Sequence, residues 1–292
     1  MGLADLPFPL NPPVLLAPMA GITDLPYRNL VASFGAGLVV SEMVASEDMI
    51  NARPGTREKA ELGLGIEGTA VQLAGREAAP LAEAARMVEA QGARVIDINM
   101  GCPAKKVTQG YSGSALMRTP DYALTLIEAV VNAVSVPVTL KTRLGWDDAM
   151  LNAPQIATAA ENAGITMITI HGRTRCQFYK GAADWAAIAK VKQAVSIPVI
   201  ANGDIIDSDT ARTALKQSGA DGVMVGRGSH ISFMARRHPL CRKGRISPAW
   251  SPITMKRSSA FTAPRSVCAP RANIWAGIWT LVPPRPTCAA RC

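Results

Sequence analysis

Eight short apolar runs, spaced along residues 14–225, constrain this fold more than any other feature of the sequence. They occupy 14–17, 37–40, 69–73, 95–98, 138–141, 167–170, 199–201 and 222–225, and each stops at a Gly, a Pro or a polar cluster. Runs this short and rich in Val and Ile suit strands buried on both faces. Between them lie segments with helical spacing, among them 77–92, 119–134 and 208–219. Thr119-Pro120 and Ser208 read as helix starts, and Gly92, Gly164 and Gly219 as helix stops. Strand–helix alternation repeated eight times predicts an α/β fold of the (β/α)8 TIM-barrel type. An open doubly wound sheet is the alternative, but eight repeats in about 210 residues fit the barrel better.

The chain of 292 residues carries a net charge of +9, and that charge is unevenly placed. Residues 1–227 hold 20 Lys and Arg against 22 Asp and Glu, a net −2. Residues 228–292 hold 11 Lys and Arg with no acid, together with 8 of the 21 prolines and 4 of the 6 cysteines. The expected organisation is therefore a lead-in over 1–11, a catalytic barrel over 12–227 and a basic tail over 228–292. No stretch approaches the ~18–20 uninterrupted apolar residues of a membrane span. The N-terminus lacks a basic region of the signal-peptide kind, so a cytoplasmic protein is expected. Two body cysteines, Cys102 and Cys176, make no disulfide framework. The tail cysteines have no zinc-ligand spacing, and no metal is expected.

Chemistry in such a barrel gathers where strands end and the following loops begin. Asn202-Gly-Asp204 and Gly226-Arg227 follow the last two runs, the position at which barrels commonly bind phosphate. The plainer reading is two tight turns. Lys141 ends its run inside apolar sequence and must reach the mouth or meet an anion. It could hold the pyrimidine edge of a flavin, or snorkel to solvent. Gln72 offers a donor and an acceptor suited to a heterocycle. Cys102, in Asn99-Met-Gly-Cys-Pro103, is stiffened by the proline behind it. It could act as nucleophile or proton donor, or be a small buried residue. His171-Gly-Arg-Thr-Arg175 places three potential cations in five residues, which suits phosphate or nucleic acid as well as a solvated loop. Gly63-Leu-Gly-Ile-Glu-Gly68 matches the dinucleotide-binding glycine pattern but precedes a strand instead of following one, so that reading is rejected.

Taken in order, seven segments resemble the tRNA-dihydrouridine synthases, most closely the bacterial B-type branch. They are Leu16-Ala-Pro-Met-Ala-Gly-Ile-Thr-Asp24, Gln72-Leu-Ala-Gly75, Asp97-Ile-Asn-Met-Gly-Cys-Pro-Ala104, Leu140-Lys-Thr-Arg-Leu-Gly145, His171-Gly-Arg-Thr-Arg175, Ala201-Asn-Gly-Asp204 and Val225-Gly-Arg227. The resemblance covers about residues 12–227. It implies an FMN-dependent barrel enzyme that reduces the C5–C6 double bond of particular uridines in tRNA, with NADPH or NADH as reductant. Pro18, Met19 and Ala20 would line the flavin, Gln72 and Lys141 would meet its pyrimidine side, and His171 would sit beside it. Asn202, Gly203, Asp204, Gly226 and Arg227 would hold the ribityl chain and phosphate. Cys102 would be the general acid that protonates C5. Asn99, Arg143, Arg173 and Arg175 would contact the uridine or the RNA, whose base must leave its stack to react.

Past Arg227 the sequence departs from the family pattern, which continues into a last barrel helix and a small helical domain. Residues 228–292, without acids and with Pro283-Pro-Arg-Pro286, do not read as helices. Their composition is that of a GC-rich gene read in a wrong frame, which favours a frameshift over a genuine basic tail. A genuine tail could contact RNA through its cations and Trp250, Trp275 and Trp279. Two other functions compete: an FMN barrel acting on free pyrimidines, like dihydroorotate dehydrogenase, and a non-catalytic RNA-binding or regulatory protein. A monomer is expected.

Overall fold

The structure is a computed structural model that describes residues 2–8, 10–62 and 69–229. After a 3-10 turn at Leu3–Asp5 come β1 (Val14–Leu16), α1 (Leu25–Ser33), β2 (Leu38–Val40), β3 (Val44–Ala45), α2 (Ser46–Ile50) and α3 (Thr56–Ala60). Next are β4 (Thr69–Ala74), α4 (Ala78–Ala90), β5 (Val95–Asn99), α5 (Lys105–Thr108), a 3-10 segment at Gly113–Arg118 and α6 (Pro120–Val131). Then follow β6 (Val138–Arg143), α7 (Ala153–Asn162), β7 (Met167–His171), α8 (Trp185–Ala194), β8 (Val199–Asn202), α9 (Ser208–Ser218) and β9 (Gly222–Val225). The glycine-patterned stretch 63–68 and residues 230–292 of the basic tail lie outside the described residues. Among those described, no helix is long and apolar enough to cross a membrane.

All strand pairings are parallel. The order β2-β1-β9-β8-β7-β6-β5-β4 closes on itself because β2 also pairs with β4, through Val39↔Thr69 and Val40↔Ala70. The ring has eight staves, one for each apolar run, and is the expected TIM barrel. The two-residue β3 is an addition that pairs only with β4, Val44 against Leu73.

Side chains of a stave alternate between the barrel interior and the helical jacket. Outward positions such as Val71, Leu73, Ile96, Ile98, Leu140, Ile168 and Ile170 pack on buried residues of α4, α6, α7 and α8. Leu16, Val39, Val223 and Val225 pack on Val31 of α1 and Ala211 and Ala214 of α9. Each such side chain contributes about 1.5–3 kcal/mol by leaving water. Inward positions change character along the barrel. Near the strand N-termini Leu15, Leu38, Ala70, Met167, Ile200 and Met224 form one cluster with Leu6, Phe8 and Leu10. The lead-in thus packs into the lower end of the barrel. Above that plug the inward positions are Gln72, Asp97, Asn99, Thr139, Lys141, Thr169, His171 and Asn202.

Local chemistry explains the boundaries. Gly92, Gly164 and Gly219 end their helices with φ of 95°, 104° and 63°, the left-handed region glycine tolerates. At Gly37 a Cβ would sit 1.9 Å from the Pro12 carbonyl oxygen, so β2 can approach the chain entering β1 only without a side chain there. Thr119 stands at the N-cap position of α6, without a side-chain cap bond, and Pro120 is in its first turn. α9 starts at Ser208, as expected, and its cap is Asp207. Its carboxylate accepts from the Asp209 and Thr210 N–H groups at 3.1 and 2.8 Å. A carboxylate is the better cap because it faces the positive end of the helix.

Candidate active site

The strand C-termini bring nearly all the predicted residues to one mouth. Two of them, with two that the sequence reading passed over, form a directed hydrogen-bond relay that ends at the Cys102 backbone. Thr139 donates to Asp97 Oδ1 and Gln72 Nε2 donates to Asp97 Oδ2, both at 2.6 Å. Gln72 Oε1 accepts from Asn99 Nδ2 at 2.7 Å. Asn99 Oδ1 then accepts from the backbone N–H of Gly101 at 3.2 Å and of Cys102 at 2.9 Å. All four side chains are buried. Gln72 and Asn99 are thereby tied to protein groups, and Asn99 sets the backbone at Cys102. Burial pushes the Asp97 carboxyl up, against the hydrogen bonds from Thr139 and Gln72 and the Lys141 charge.

Lys141 stands on the neighbouring stave and donates from Nζ to Asn202 Oδ1 at 3.1 Å. Asn202 in turn donates to the Met224 carbonyl at 2.9 Å. Burial, aided by nearby Arg143, pulls the ammonium down to about 8, while Asp97 and Cys102 oppose the shift. His171 is buried among Lys141, Arg143, Arg173 and Arg227, and burial plus these charges push it down to about 2. Its imidazole is therefore neutral at working pH and can accept a hydrogen bond as well as donate one.

Arg143 and Arg173 are committed inside the protein. Arg143 donates to the carbonyls of Gly101 (2.7 Å), Thr174 (3.1 Å) and Phe178 (2.9 Å). Burial pulls it down to about 10, so it stays charged. It clamps the Cys102 segment to the loop after β7. Arg173 makes a bidentate pair with Asp204, at 3.0 and 2.6 Å, and donates to the carbonyls of Lys180 and Gly181. Burial alone would raise Asp204; hydrogen bonds from Arg173 and the Ala183 N–H, with the Arg173 and Arg227 charges, leave it below the usual carboxylate range. Arg173, expected to meet RNA, and Asp204, expected to meet the cofactor, are paired with each other. Arg175 lies outside this group: its guanidinium is 4.9 Å from the Trp146 ring centre and donates to Thr108.

Cys102 is a free thiol at the mouth, partly exposed. Pro18, Met19 and Ala20 follow β1 and are at least partly accessible. Sequence reasoning missed Asp97 and Thr139, although both fall on the inward positions that alternate with the core. It also missed Tyr179, which no periodicity marks. The Tyr179 ring lies 5.2 Å from the Arg227 guanidinium, 5.6 Å from that of Arg143 and 6.5 Å from His171.

These donors fit an anionic heteroaromatic cofactor. A lysine stands inside the mouth, and Arg227 is exposed at the end of β9. At Gly226 an added Cβ would meet nothing nearer than Ala17 at 3.8 Å and Met19 at 3.9 Å, so bare backbone borders open space there.

Comparison with known proteins assigns the chain. Residues 15–262 match the family described as dihydrouridine synthase (Dus). The chain belongs to the dihydrouridine synthase family. Membership makes it an enzyme, a flavin-dependent oxidoreductase by family. A "Probable tRNA-dihydrouridine synthase" of Rhodobacter capsulatus is 70% identical over 222 residues, covering 75% of this chain and 68% of that protein. One of Rhizobium leguminosarum is 59% identical over 217 residues, 74% of this chain and 68% of the relative. The "tRNA-dihydrouridine synthase B" of Xanthomonas axonopodis is 48% identical over 223 residues, 76% of this chain and 67% of the relative. The family match runs to residue 262, while these relatives align over 217–223 residues.

Proposed function

We propose that this synthase reduces the C5–C6 double bond of specific uridines in tRNA to 5,6-dihydrouridine, in the cytoplasm. The observation that carries the reading is the placement of the Cys102 thiol at the same mouth as the half-buried Lys141. FMN, rereduced by NADPH or NADH, supplies when bound the hydride that C6 of the uracil receives. Pro18, Met19 and Ala20 line the space for it. Lys141 puts a cation at its pyrimidine side, and Gln72 is held rigid beside it. Asn202, Gly203, Gly226 and Arg227 hold the ribityl chain and phosphate, while Asp204 fixes Arg173 next to them. Neutral His171 offers a hydrogen bond without adding charge. Cys102 donates the proton that C5 requires and becomes a thiolate. Asn99 and Arg143 hold the Cys102 segment from two sides, so the thiol meets the base in one geometry.

The test uses the full chain, freed of flavin and reloaded with FMN. It is given NADPH and tRNA lacking dihydrouridine, and digested nucleosides are weighed by mass spectrometry. Dihydrouridine is expected, and Cys102→Ala should keep FMN and lose about 100-fold or more of the rate. Equal turnover of free uridine and tRNA, or full activity of Cys102→Ala, would overturn the reading.

A further inference from the structure

A cavity of about 630 Å³ lies outside the barrel mouth, between the loops that follow β4 and β5. Arg76, Glu77, Thr108, Tyr111, Arg118 and Tyr122 supply its polar lining. The volume is in the range of small-ligand sites. Nothing in the chemistry already described uses it.

The cavity is joined to the Cys102 segment. Thr108 and Tyr111 belong to the stretch that runs from Cys102 to Ser114, and that stretch folds back on itself. The Ser114 N–H and hydroxyl both donate to the Cys102 carbonyl, at 3.1 and 2.8 Å. Ser112 donates to the Gly75 carbonyl at 3.1 Å, tying the stretch to the loop that carries Arg76. A ligand in the cavity would therefore sit against the back of the segment that presents the thiol.

The lining has the composition of a nucleotide site. Tyr111 is 74% exposed and Tyr122 45%, high values for aromatic rings that border a cavity. Tyr111 is held at φ 54°, a left-handed conformation that a bulky residue adopts at a cost. The Tyr122 hydroxyl donates to the Arg76 carbonyl, which fixes that ring at the wall. Two arginines accompany the rings. Arg76 is paired with Glu47 and Glu77. Arg118 makes no ion pair with a carboxylate among the described residues, and its guanidinium lies 5.1 Å from the Trp146 ring centre. The same indole takes Arg175, which reaches Thr108. Cations and aromatic rings thus alternate from the loop after β7 to the cavity. That alternation suits a single strand whose bases stack on rings and whose phosphates meet guanidinium groups.

We propose that this cavity is a second nucleotide subsite, which takes the nucleotide next to the one whose base enters the barrel. The inference rests on the RNA-substrate reading above. A base drawn out of its stack leaves its neighbours unsupported, and the exposed Tyr111 ring beside the thiol segment replaces the lost stacking. Arg118 meets the phosphate between the two nucleotides.

The full chain, loaded with FMN, is compared with Tyr111→Asn, Tyr111→Phe and Arg118→Gln. Asparagine tolerates the left-handed backbone, so the first variant removes the ring without adding strain. Far-UV circular dichroism and flavin absorbance should match the wild type in all three. KM for tRNA is expected to rise about tenfold in Tyr111→Asn and severalfold in Arg118→Gln, with kcat kept, while Tyr111→Phe retains the wild-type KM. Ultraviolet crosslinking should also attach RNA to the tryptic peptide spanning 107–118. If the wild type reduces tRNA and the Asn and Gln variants share its KM, the subsite is wrong and the reaction stands. If the wild type neither binds nor reduces tRNA, the RNA reading falls and takes the subsite with it.

Discussion

Asp97 is the residue from which the orientation of its neighbours follows. The Asp97 carboxyl accepts from Thr139 and from the Gln72 amide nitrogen, which turns the Gln72 oxygen to Asn99. Asn99 must then give its nitrogen to Gln72 and its oxygen to the amides of Gly101 and Cys102. Asp97→Asn lets the relay run either way, and in the reversed sense two N–H groups face each other at Cys102. Alkylation of Cys102 by iodoacetamide, followed on its own peptide by mass spectrometry, should change severalfold in that variant. The double variant Asp97→Asn with Gln72→Glu moves the carboxylate one position along the relay and should restore the wild-type rate. A double variant no better than the single one would show that direction is not what Asp97 sets. Lys141 gives a second test. Its ammonium titrates near 8 in the free protein, and only the protonated form is a cation. FMN affinity should therefore weaken as pH rises through about 8, and Lys141→Met should bind weakly with that pH dependence gone. At this scale the mouth was legible because it is the C-terminal residue of each run. The relay was not, because Asp97 and Thr139 read as strand interior until pairing aligns them, Asp97↔Thr139 and Gln72↔Asp97.

Elements repeat the pattern of clear and obscure signals. The staves were legible because each is an apolar run closed by a polar break, and α4, α6 and α9 because their helical spacing lasts ten residues or more. β3, α2, α3 and α5 have between two and five residues each. Pieces that short have no period to detect, and tertiary contacts define them. The cap of α9 makes a quantitative test. Asp207→Ala leaves the Asp209 and Thr210 amides without their acceptor and should cost about 0.5–2 kcal/mol in urea unfolding. The lead-in makes a larger one. Phe8 is 8% exposed within the cluster at the lower end of the barrel. Phe8→Ala should cost about 3–5 kcal/mol and lower the urea midpoint accordingly. A loss near zero would mean that the lead-in covers the barrel without supporting it.

Over the whole molecule the formal charge is divided, with −2 on residues 1–227 and +11 on residues 228–292. The barrel therefore has no net attraction for a polyanion, and its positive groups act locally: around His171 and along the Arg118–Trp146–Arg175 row. Contacts of that kind hold a strand in register, whereas a diffuse basic stretch raises affinity without choosing a sequence. The lower end of the barrel carries a separate consequence. Leu6, Phe8 and Leu10 fill it, so among the described residues the polar interior opens at the mouth that carries Cys102, His171 and Arg227. In the proposed reaction a nicotinamide dinucleotide and a folded RNA both use that opening. Single-file traffic follows: the donor of electrons departs before the acceptor arrives. Initial rates measured against both reactants should give parallel lines in double-reciprocal plots, and lines that cross would mean that the two are held at once.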